Sequence, residues 1–204
     1  MDKKVLNHFK LKDRALYKWA LKVGKLEKIK KDRPSNYFSR LCYEIVGQQL
    51  SGKVARVIFL RFKKLFPGNK VTAKKAAAIL HKKLRGVGMS NAKAKYIKYL
   101  AKDVLNKKLP LSKFDQMTDE EVQESLLRVK GIGPWTCEMF LMFTLARPDV
   151  FSSGDLGLKK GILKVYKLKT LPRINKLEKM VAKWSPYKSY ASRILWQSIE
   201  EKWR

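Results

Sequence analysis

The sequence is poor in the side chains that hold transition metals and iron–sulfur clusters. Its 204 residues include only two cysteines and two histidines, whereas an iron–sulfur cluster takes four ligands. Cys42 and Cys137 each lie in an apolar pattern, which is typical of small buried residues. His8 and His81 stand apart from both cysteines, so a zinc site is not expected either. We therefore predict a protein without an iron–sulfur cluster.

Acidic residues are also scarce. The chain has 17 aspartates and glutamates against 47 lysines and arginines, a formal net charge of +30. So large an excess predicts a polyanionic partner, and nucleic acid is the first candidate. Binding should then weaken steeply with added salt, because counterions are released. The alternative is a lysine-rich composition without such a partner. Because 45% of the residues are hydrophobic, the chain is predicted to be globular rather than disordered.

No apolar run approaches the roughly 20 residues that a membrane-spanning helix needs. The first residues form an amphipathic pattern and lack the apolar core of a signal peptide. We therefore expect an intracellular protein that binds no membrane. It would be cytoplasmic, at the nucleoid, in a prokaryote and nuclear in a eukaryote.

Strand-like alternation is missing as well, and apolar residues recur at helical spacing through most of the chain. We predict an all-α fold of about ten helices in two lobes. The first lobe comprises 34–146, the second combines 1–33 with 147–204, and a cleft between lobes is a common ligand site. The predicted helix N-caps are Ser35 or Asn36, Ser51, Thr72, and Thr118 in a capping box with Glu121. In the last helix, near 187–202, apolar residues up to Trp203 are predicted to face inward.

The most informative stretch is 126–160. It predicts a helix, a glycine-containing turn at 130–133, and an almost wholly apolar helix that starts at Pro134 and ends near Arg147. The two glycines permit positive φ and close approach of another molecule. The free N–H groups at the start of the second helix suit a phosphate. The alternative is an ordinary corner between helices. A short loop then brings Asp155 to the start of a third helix, where a carboxylate suits the N-cap.

Five sequence blocks follow one another between residues 45 and 196. They are IVGQQLSGKVA at 45–55, GVGMSNAKAKYI at 86–97, LLRVKGIGPWTCEMFLMF at 126–143, RPDVFSSGDLGLKKG at 147–161 and WSPYKSYASRILW at 184–196. In this order they resemble the helix-hairpin-helix DNA glycosylases, most closely the alkylated-base branch of the DNA-3-methyladenine glycosylase II type. The resemblance implies that family's fold, with the helix-hairpin-helix at about 121–146.

Two residues carry the chemistry that the resemblance implies. Asp155 matches the catalytic aspartate, and Trp135 is expected to line the pocket for the flipped base. Their alternative roles are a helix N-cap for Asp155 and core packing for Trp135. Branches of the superfamily that also cut the strand have a Schiff-base Lys at the Trp135 position. Because Trp cannot form a Schiff base, the resemblance implies a monofunctional glycosylase without lyase activity.

The resemblance also implies contacts with DNA. The candidates are Lys130, Gly131, Ile132 and Gly133 in the hairpin, Gln48, Gln49, Leu50 and Ser51 in an earlier loop, and Lys159, Lys160, Lys188 and Ser189 as further phosphate ligands. One of Gln48, Gln49 and Leu50 should wedge into the duplex, and the residues leave the choice among them open. The alternative for this loop is a plain connection between helices.

Hydrolytic release of alkylated purines, such as 3-methyladenine and 7-methylguanine, in base excision repair is the implied function. The partner would be double-stranded DNA with a damaged base, bound by a monomer. A Na⁺ or K⁺ ion held by the main-chain carbonyls of Leu127, Val129 and Gly131 is the only cofactor implied. Two alternatives remain: the same fold acting on hypoxanthine, ethenoadenine or an oxidised base, and a non-catalytic protein that binds lesions or DNA.

Overall fold

A computed structural model describes residues 2–200. Over these residues it contains twelve α-helices and no strand, which confirms the all-α prediction. The helices are α1 (Lys3–Lys12), α2 (Arg14–Val23), α3 (Tyr37–Gly47), α4 (Gly52–Lys63), α5 (Ala73–Ala78), α6 (His81–Gly86), α7 (Asn91–Leu105), α8 (Asp119–Leu127), α9 (Pro134–Phe143), α10 (Leu156–Val165), α11 (Ile174–Ala182) and α12 (Lys188–Ile199). Short 3₁₀ turns lie at Pro34–Asn36, Pro67–Asn69 and Leu111–Lys113. Within this part of the chain no helix combines the length and apolar character needed to cross a membrane.

The chain divides into two compact units. Residues up to Lys30 and from Ala146 onward form the first unit, and Lys31–Leu145 form the second. The first unit contains α1, α2 and α10 to α12, and the second contains α3 to α9.

The core of the first unit is built around the packing of α10 on α12. A Cβ added at Gly161 would lie 2.6 Å from the carbonyl oxygen of Leu195, so only glycine allows the two helices to approach this closely. The buried side chains include Phe9, Leu16, Leu158, Ile162, Trp184, Ile194 and Leu195. Residues that are distant in sequence therefore share one core.

A buried aspartate ties the start of the chain into this core. Asp13 is 9% exposed and divides the N-terminal segment into α1 and α2. Its Oδ1 accepts a hydrogen bond from the Leu16 N–H at 3.0 Å, and its Oδ2 accepts from Trp184 Nε1 at 2.9 Å and from the Tyr166 hydroxyl. Burial, with Asp13 beside it, raises the pKa of the Tyr166 hydroxyl above its usual range. The carboxylate is thus paired on both oxygens, as burial of a charge requires.

The second unit is organised around α3, which packs against α4, α7 and α9. Tyr37, Leu41, Cys42 and Ile45 on this helix have no exposed surface. Both cysteines are buried free thiols, as predicted. Burial raises the pKa of the Cys137 thiol to about 12, so it stays protonated at neutral pH.

Three of the four predicted helix N-caps are confirmed. Ser51, Thr72 and Thr118 each accept a capping hydrogen bond, and Thr118 forms the predicted box with Glu121. Asn36 occupies the N-cap of α3 without capping it, because its backbone is helical (φ −95°, ψ −12°) and not extended as a capping residue requires. Its side-chain amide donates to Asp32.

Two other helix predictions have different outcomes. The apolar helix α9 ends at Phe143 and not near Arg147, because the chain leaves the helical conformation before Ala146, whose φ is +55°. Trp203 lies outside the described residues.

Glu44 on α3 provides a stability prediction. Burial raises the pKa of its carboxyl from 4.5 to about 7, although the Arg40 charge opposes the shift. Between these pH values the unfolded chain ionises while the folded chain keeps its proton, so Glu44 lowers stability as pH rises. We expect Glu44→Gln to match the wild type at pH 4 and to be more stable by about 2 kcal/mol at pH 8.

Urea unfolding at both pH values measures this difference. Exposed Glu120 provides the matched control, and Glu120→Gln should show no comparable change between the two pH values. A Glu44→Gln variant that gains no stability at pH 8 would contradict the assignment of a raised pKa to Glu44.

Candidate functional site

The turn between α8 and α9 has the geometry of a tight hairpin. Gly131 has a φ of +95°, in the region that favours glycine. Gly133 is the N-cap of α9 with a φ of −110°, so the expected positive φ is found only at Gly131. Pro134 follows at the first helical position, as predicted. The hairpin thus ends in a helix N-terminus without a side-chain cap.

Some main-chain N–H groups of the hairpin donate hydrogen bonds within the protein, and others have no acceptor among the described residues. The Ile132 N–H donates to the Val129 carbonyl at 3.0 Å, and the Ile132 side chain is only 6% exposed. Ile132 therefore braces the hairpin, and its N–H is not available to a phosphate. The N–H groups of Gly131 and Gly133 have no acceptor within the described chain. Together with the positive end of α9, these two donors can bind an anion.

Two aromatic rings of α7 lie against the hairpin. A Cβ added at Gly131 would be 2.1 Å from Cγ of Tyr96, so the Tyr96 ring rests on the bare Gly131 backbone. The Lys130 ammonium lies over the Tyr99 ring, 5.5 Å from its centre. This contact is a cation–π pair at an exposed lysine. The hairpin is therefore fixed by packing that no local sequence pattern specifies.

The loop after α3 is bound to the hairpin by Gln48. Its Nε2 donates to the Gly131 carbonyl at 2.9 Å and to Thr136 Oγ1 at 3.1 Å. Gln49 is exposed and has a φ of +58°, and Leu50 is 37% exposed. Ser51 then caps α4 through a bond from the Val54 N–H at 3.4 Å. The side chain of Gln48 thus points to the hairpin, while Gln49 and Leu50 face solvent.

A cavity of about 500 Å³ in the second unit joins these residues. Its walls include Gln48, Lys93, Tyr96, Gly133, Trp135 and Thr136. Trp135 is half-buried, so its indole contributes to the cavity wall and not only to the core. Residues of the loop, the hairpin and α7 therefore line one space.

Asp155 lies in the first unit, at the N-cap of α10. Its Oδ1 accepts hydrogen bonds from the Leu158 N–H at 2.8 Å and from Trp196 Nε1 at 2.9 Å. A Cβ at Gly157 would lie 2.8 Å from the Trp196 ring and 3.0 Å from Oδ1, so glycine makes room for this pair. The predicted N-cap role of Asp155 is confirmed. The two donors fix the direction in which the half-buried carboxylate points.

The basic candidates of the first unit differ in exposure. Lys160 is exposed and Lys159 is half-buried, both on α10. Lys188 pairs with Asp149 at 3.2 Å. Ser189 is 1% exposed, and its Oγ donates to the Arg147 carbonyl at 2.6 Å and accepts from the Val150 N–H at 3.0 Å. Ser189 is therefore a buried structural residue, and its prediction as a phosphate ligand is wrong.

The carbonyls predicted to hold an alkali cation are partly engaged. Val129 accepts from Ile132, and Gly131 accepts from Gln48. A carbonyl oxygen has two lone pairs, so with Leu127 the hairpin still offers the hard oxygen ligands that suit Na⁺ or K⁺. The cation stays a prediction. Among residues 2–200 no group of three or more His, Cys, Asp and Glu side chains is arranged to hold a metal ion.

Four residues of the site escaped the sequence reasoning. They are Lys93, Tyr96, Thr136 and Trp196. The first two lie in the block at 86–97. This block resembles the family, but the resemblance implies no role for its individual side chains. The block at 184–196 ends on Trp196 itself. The available signal was therefore block similarity, which marks a region but not the contact that each residue makes.

Comparison with known proteins places these features in a family. Residues 42–186 match the model of the HhH-GPD superfamily base excision DNA repair proteins. The chain is 37% identical over 186 residues to DNA-3-methyladenine glycosylase of Saccharomyces cerevisiae, covering 82% of this chain and 60% of that protein. It spans 56% of the length of a similar Bacillus subtilis protein. The activity of these longer proteins is therefore a proposal for this chain.

Solved structures show the same similarity. The 3-methyladenine DNA glycosylase of Schizosaccharomyces pombe, in complex with abasic DNA, has a TM-score of 0.87 at 27% identity, with 95% of both chains covered. A DNA-3-methyladenine glycosidase of Bacillus halodurans has a TM-score of 0.80 at 31% identity, covering 96% of this chain and 88% of that one. These likenesses confirm the predicted helix-hairpin-helix glycosylase fold. The chain belongs to the HhH-GPD superfamily of base excision DNA repair proteins.

Proposed function

We propose that the protein is a monofunctional DNA glycosylase that hydrolyses the N-glycosidic bond of alkylated purines in duplex DNA. The observation that carries the proposal is the geometry of Asp155. Its carboxylate is half-buried at the N-terminus of α10 and is aimed by bonds from the Leu158 N–H and Trp196 Nε1. Similarity to glycosylases named for 3-methyladenine supports the choice of lesion.

Asp155 would act on the sugar. Cleavage of the bond between base and sugar leaves oxocarbenium character on the deoxyribose, and a fixed carboxylate stabilises that positive charge. The same group can orient or deprotonate the attacking water. A carboxylate already held by two donors needs little reorganisation in the transition state. The alkylated base is a good leaving group because it carries positive charge, so the reaction needs no strong acid to protonate it.

Trp135 would act on the base. An indole in a cavity wall can stack on an electron-poor alkylated ring, a cation–π contact of about 0.5–2 kcal/mol. Trp cannot form the Schiff base that strand cleavage requires. Lys93 lines the same cavity, but its ammonium donates hydrogen bonds to the carbonyls of Val46 and Gln48. These features support a glycosylase without lyase activity.

The hairpin would hold the DNA backbone. The unused N–H groups of Gly131 and Gly133, at the positive end of α9, suit one phosphate. Lys130 and Lys160 add charge, within a chain of net charge +30. Because the Gln48 amide is engaged, Gln49 and Leu50 remain as the candidates for the residue that wedges into the opened stack.

A base-release assay tests the proposal. The protein is incubated with duplexes carrying methylated, deaminated, ethenylated or oxidised bases, and free base is measured. We expect release of 3-methyladenine and 7-methylguanine, with no adduct trapped by borohydride. If only another lesion is released, that lesion and not an alkylated purine is the substrate. Binding without release from any duplex would establish a non-catalytic DNA-binding protein, and a trapped adduct would overturn the monofunctional assignment.

A further inference from the structure

The first turn of α7 contains a lysine in an unusual position. Lys93 is the third residue of α7, where the positive end of the helix dipole disfavours a cation. Its ammonium instead donates to the carbonyls of Val46 at 2.9 Å and Gln48 at 2.6 Å, at the C-terminal end of α3. Carbonyls at a helix C-terminus lack helical partners and favour positive charge. Burial lowers the pKa of the Lys93 ammonium, so its location carries a cost that these bonds offset.

The two acceptor carbonyls belong to Val46 and Gln48, on either side of Gly47. By binding both, Lys93 fixes the start of the loop 47–51. The Leu50 N–H donates to the Gly47 carbonyl at 3.0 Å, which closes the loop as a turn. At its tip Gln49 has a φ of +58°, a conformation that costs a residue with a Cβ on the order of 1 kcal/mol. Such a conformation persists only where neighbouring contacts fix it. Lys93 supplies one of these contacts on the residue immediately before Gln49.

The same loop is fixed to the hairpin from its other side. Gln48 donates to the Gly131 carbonyl and to Thr136 Oγ1. Tyr96, one turn after Lys93 on α7, rests its ring on the Gly131 backbone. One face of α7 therefore contacts both the loop, through Lys93, and the hairpin, through Tyr96.

On the basis of the proposed glycosylase function, we infer that Lys93 is a positioning residue. It holds the loop 47–51 against the hairpin, so that Gln49, the wedge candidate at the exposed tip of the loop, is presented in the conformation that enters the duplex. Opening a base pair costs a few kcal/mol, and a loop ordered in advance does not add its own ordering entropy to that cost. The Lys93 ammonium donates to Val46 and Gln48, whereas the proposed phosphate ligands of the hairpin are the main-chain N–H groups of Gly131 and Gly133. We call the insertion of the loop tip into the base stack invasion. Loss of the Lys93 side chain should therefore impair invasion far more than it weakens binding to the duplex.

The variant Lys93→Met tests the inference, with Lys98→Met as its matched control. Lys98 lies on the same helix, and its ammonium donates to the carbonyls of Ala77 at 2.6 Å and of Ile79, at the end of α5. Burial lowers the pKa of this ammonium as well. Each variant removes one charge and one pair of carbonyl bonds, but only Lys93→Met frees the loop 47–51.

Invasion is read from 2-aminopurine placed beside a tetrahydrofuran abasic analogue in a duplex, because its fluorescence rises when stacking is disrupted. For Lys93→Met we expect the invasion equilibrium to be at least about fivefold less favourable. The affinity for undamaged duplex should stay within about threefold of the Lys98→Met value. Single-turnover base release should slow about tenfold at saturating enzyme, with the half-saturating enzyme concentration little changed.

Rescue and epistasis separate positioning from folding. Lys93→Arg should restore most of the invasion signal, since a guanidinium also donates to two carbonyls. Adding Lys93→Met to Gln49→Ala should have little further effect on invasion if Lys93 acts through Gln49. Equal losses in Lys93→Met and Lys98→Met, or fully additive effects with Gln49→Ala, would overturn the inference.

Because the abasic analogue needs no catalysis, invasion without base release would overturn the proposed function alone. Base release with normal invasion by Lys93→Met would overturn this inference alone.

Discussion

Asp155→Asn is expected to abolish base release while leaving DNA binding intact. The substitution removes the negative charge that stabilises the developing oxocarbenium ion, and loss of such a preorganised group costs about 10²- to 10³-fold or more in rate. The amide oxygen can still accept from Leu158 and Trp196, and Asn caps helices about as well as Asp. Single-turnover release of 3-methyladenine and the affinity for an abasic-analogue duplex are the two measurements.

The matched control is Asp149→Asn, six residues earlier. Asp149 accepts from Ser185 Oγ at 2.6 Å and pairs with Lys188 at 3.2 Å, so it has a structural role of its own. We expect Asp149→Asn to lower the unfolding free energy by about 1 kcal/mol and to keep most of the release rate. An Asp155→Asn protein that folds, binds DNA and still releases base near the wild-type rate would exclude Asp155 as the catalytic group.

Features set by neighbouring residues could be predicted from the sequence. The capping box of Thr118, the proline at the first position of α9 and the N-cap role of Asp155 each depend on residues within four positions. Such contacts are fixed by backbone geometry, so a short pattern specifies them. The all-α fold follows for the same reason, because helical periodicity is itself a local property.

Contacts between distant residues could not be predicted. Gln48 meets the Gly131 carbonyl across 83 residues, Trp196 meets Asp155 across 41, and Trp184 meets Asp13 across 171. Each pairing depends on how helices pack, and any polar side chain of similar reach would fit the same local pattern. The sequence therefore indicated which loops carry the site, but it did not distinguish among Gln48, Gln49 and Leu50 as the residue that enters the duplex. The packing of the second unit is what sets Gln48 apart from the other two.

Gly131→Ala is expected to be strongly destabilising. The new Cβ would lie 2.1 Å from Cγ of Tyr96, at the rigid base of the ring, and the residue would keep a φ of +95°. Overpacking and backbone strain each cost about 1–3 kcal/mol, so we expect a loss of about 2–5 kcal/mol in unfolding free energy. The hairpin would also move away from α7, which should weaken DNA binding more than tenfold, since its N–H groups would no longer converge on one phosphate. Urea unfolding and duplex binding measure the two effects.

The second glycine of the hairpin is the control that separates strain from ligand contact. A Cβ at Gly133 meets nothing within 4 Å, and its φ of −110° suits any residue. Gly133→Ala should therefore stay within about 0.5 kcal/mol of wild-type stability, yet lower DNA affinity several-fold if a phosphate approaches that N–H closely. Tyr96→Ala should relieve the clash, so the double variant Gly131→Ala/Tyr96→Ala should be less destabilised than the sum of its parts. If the two effects simply add, the Tyr96 ring is not what requires glycine at position 131, and backbone strain alone would account for the loss.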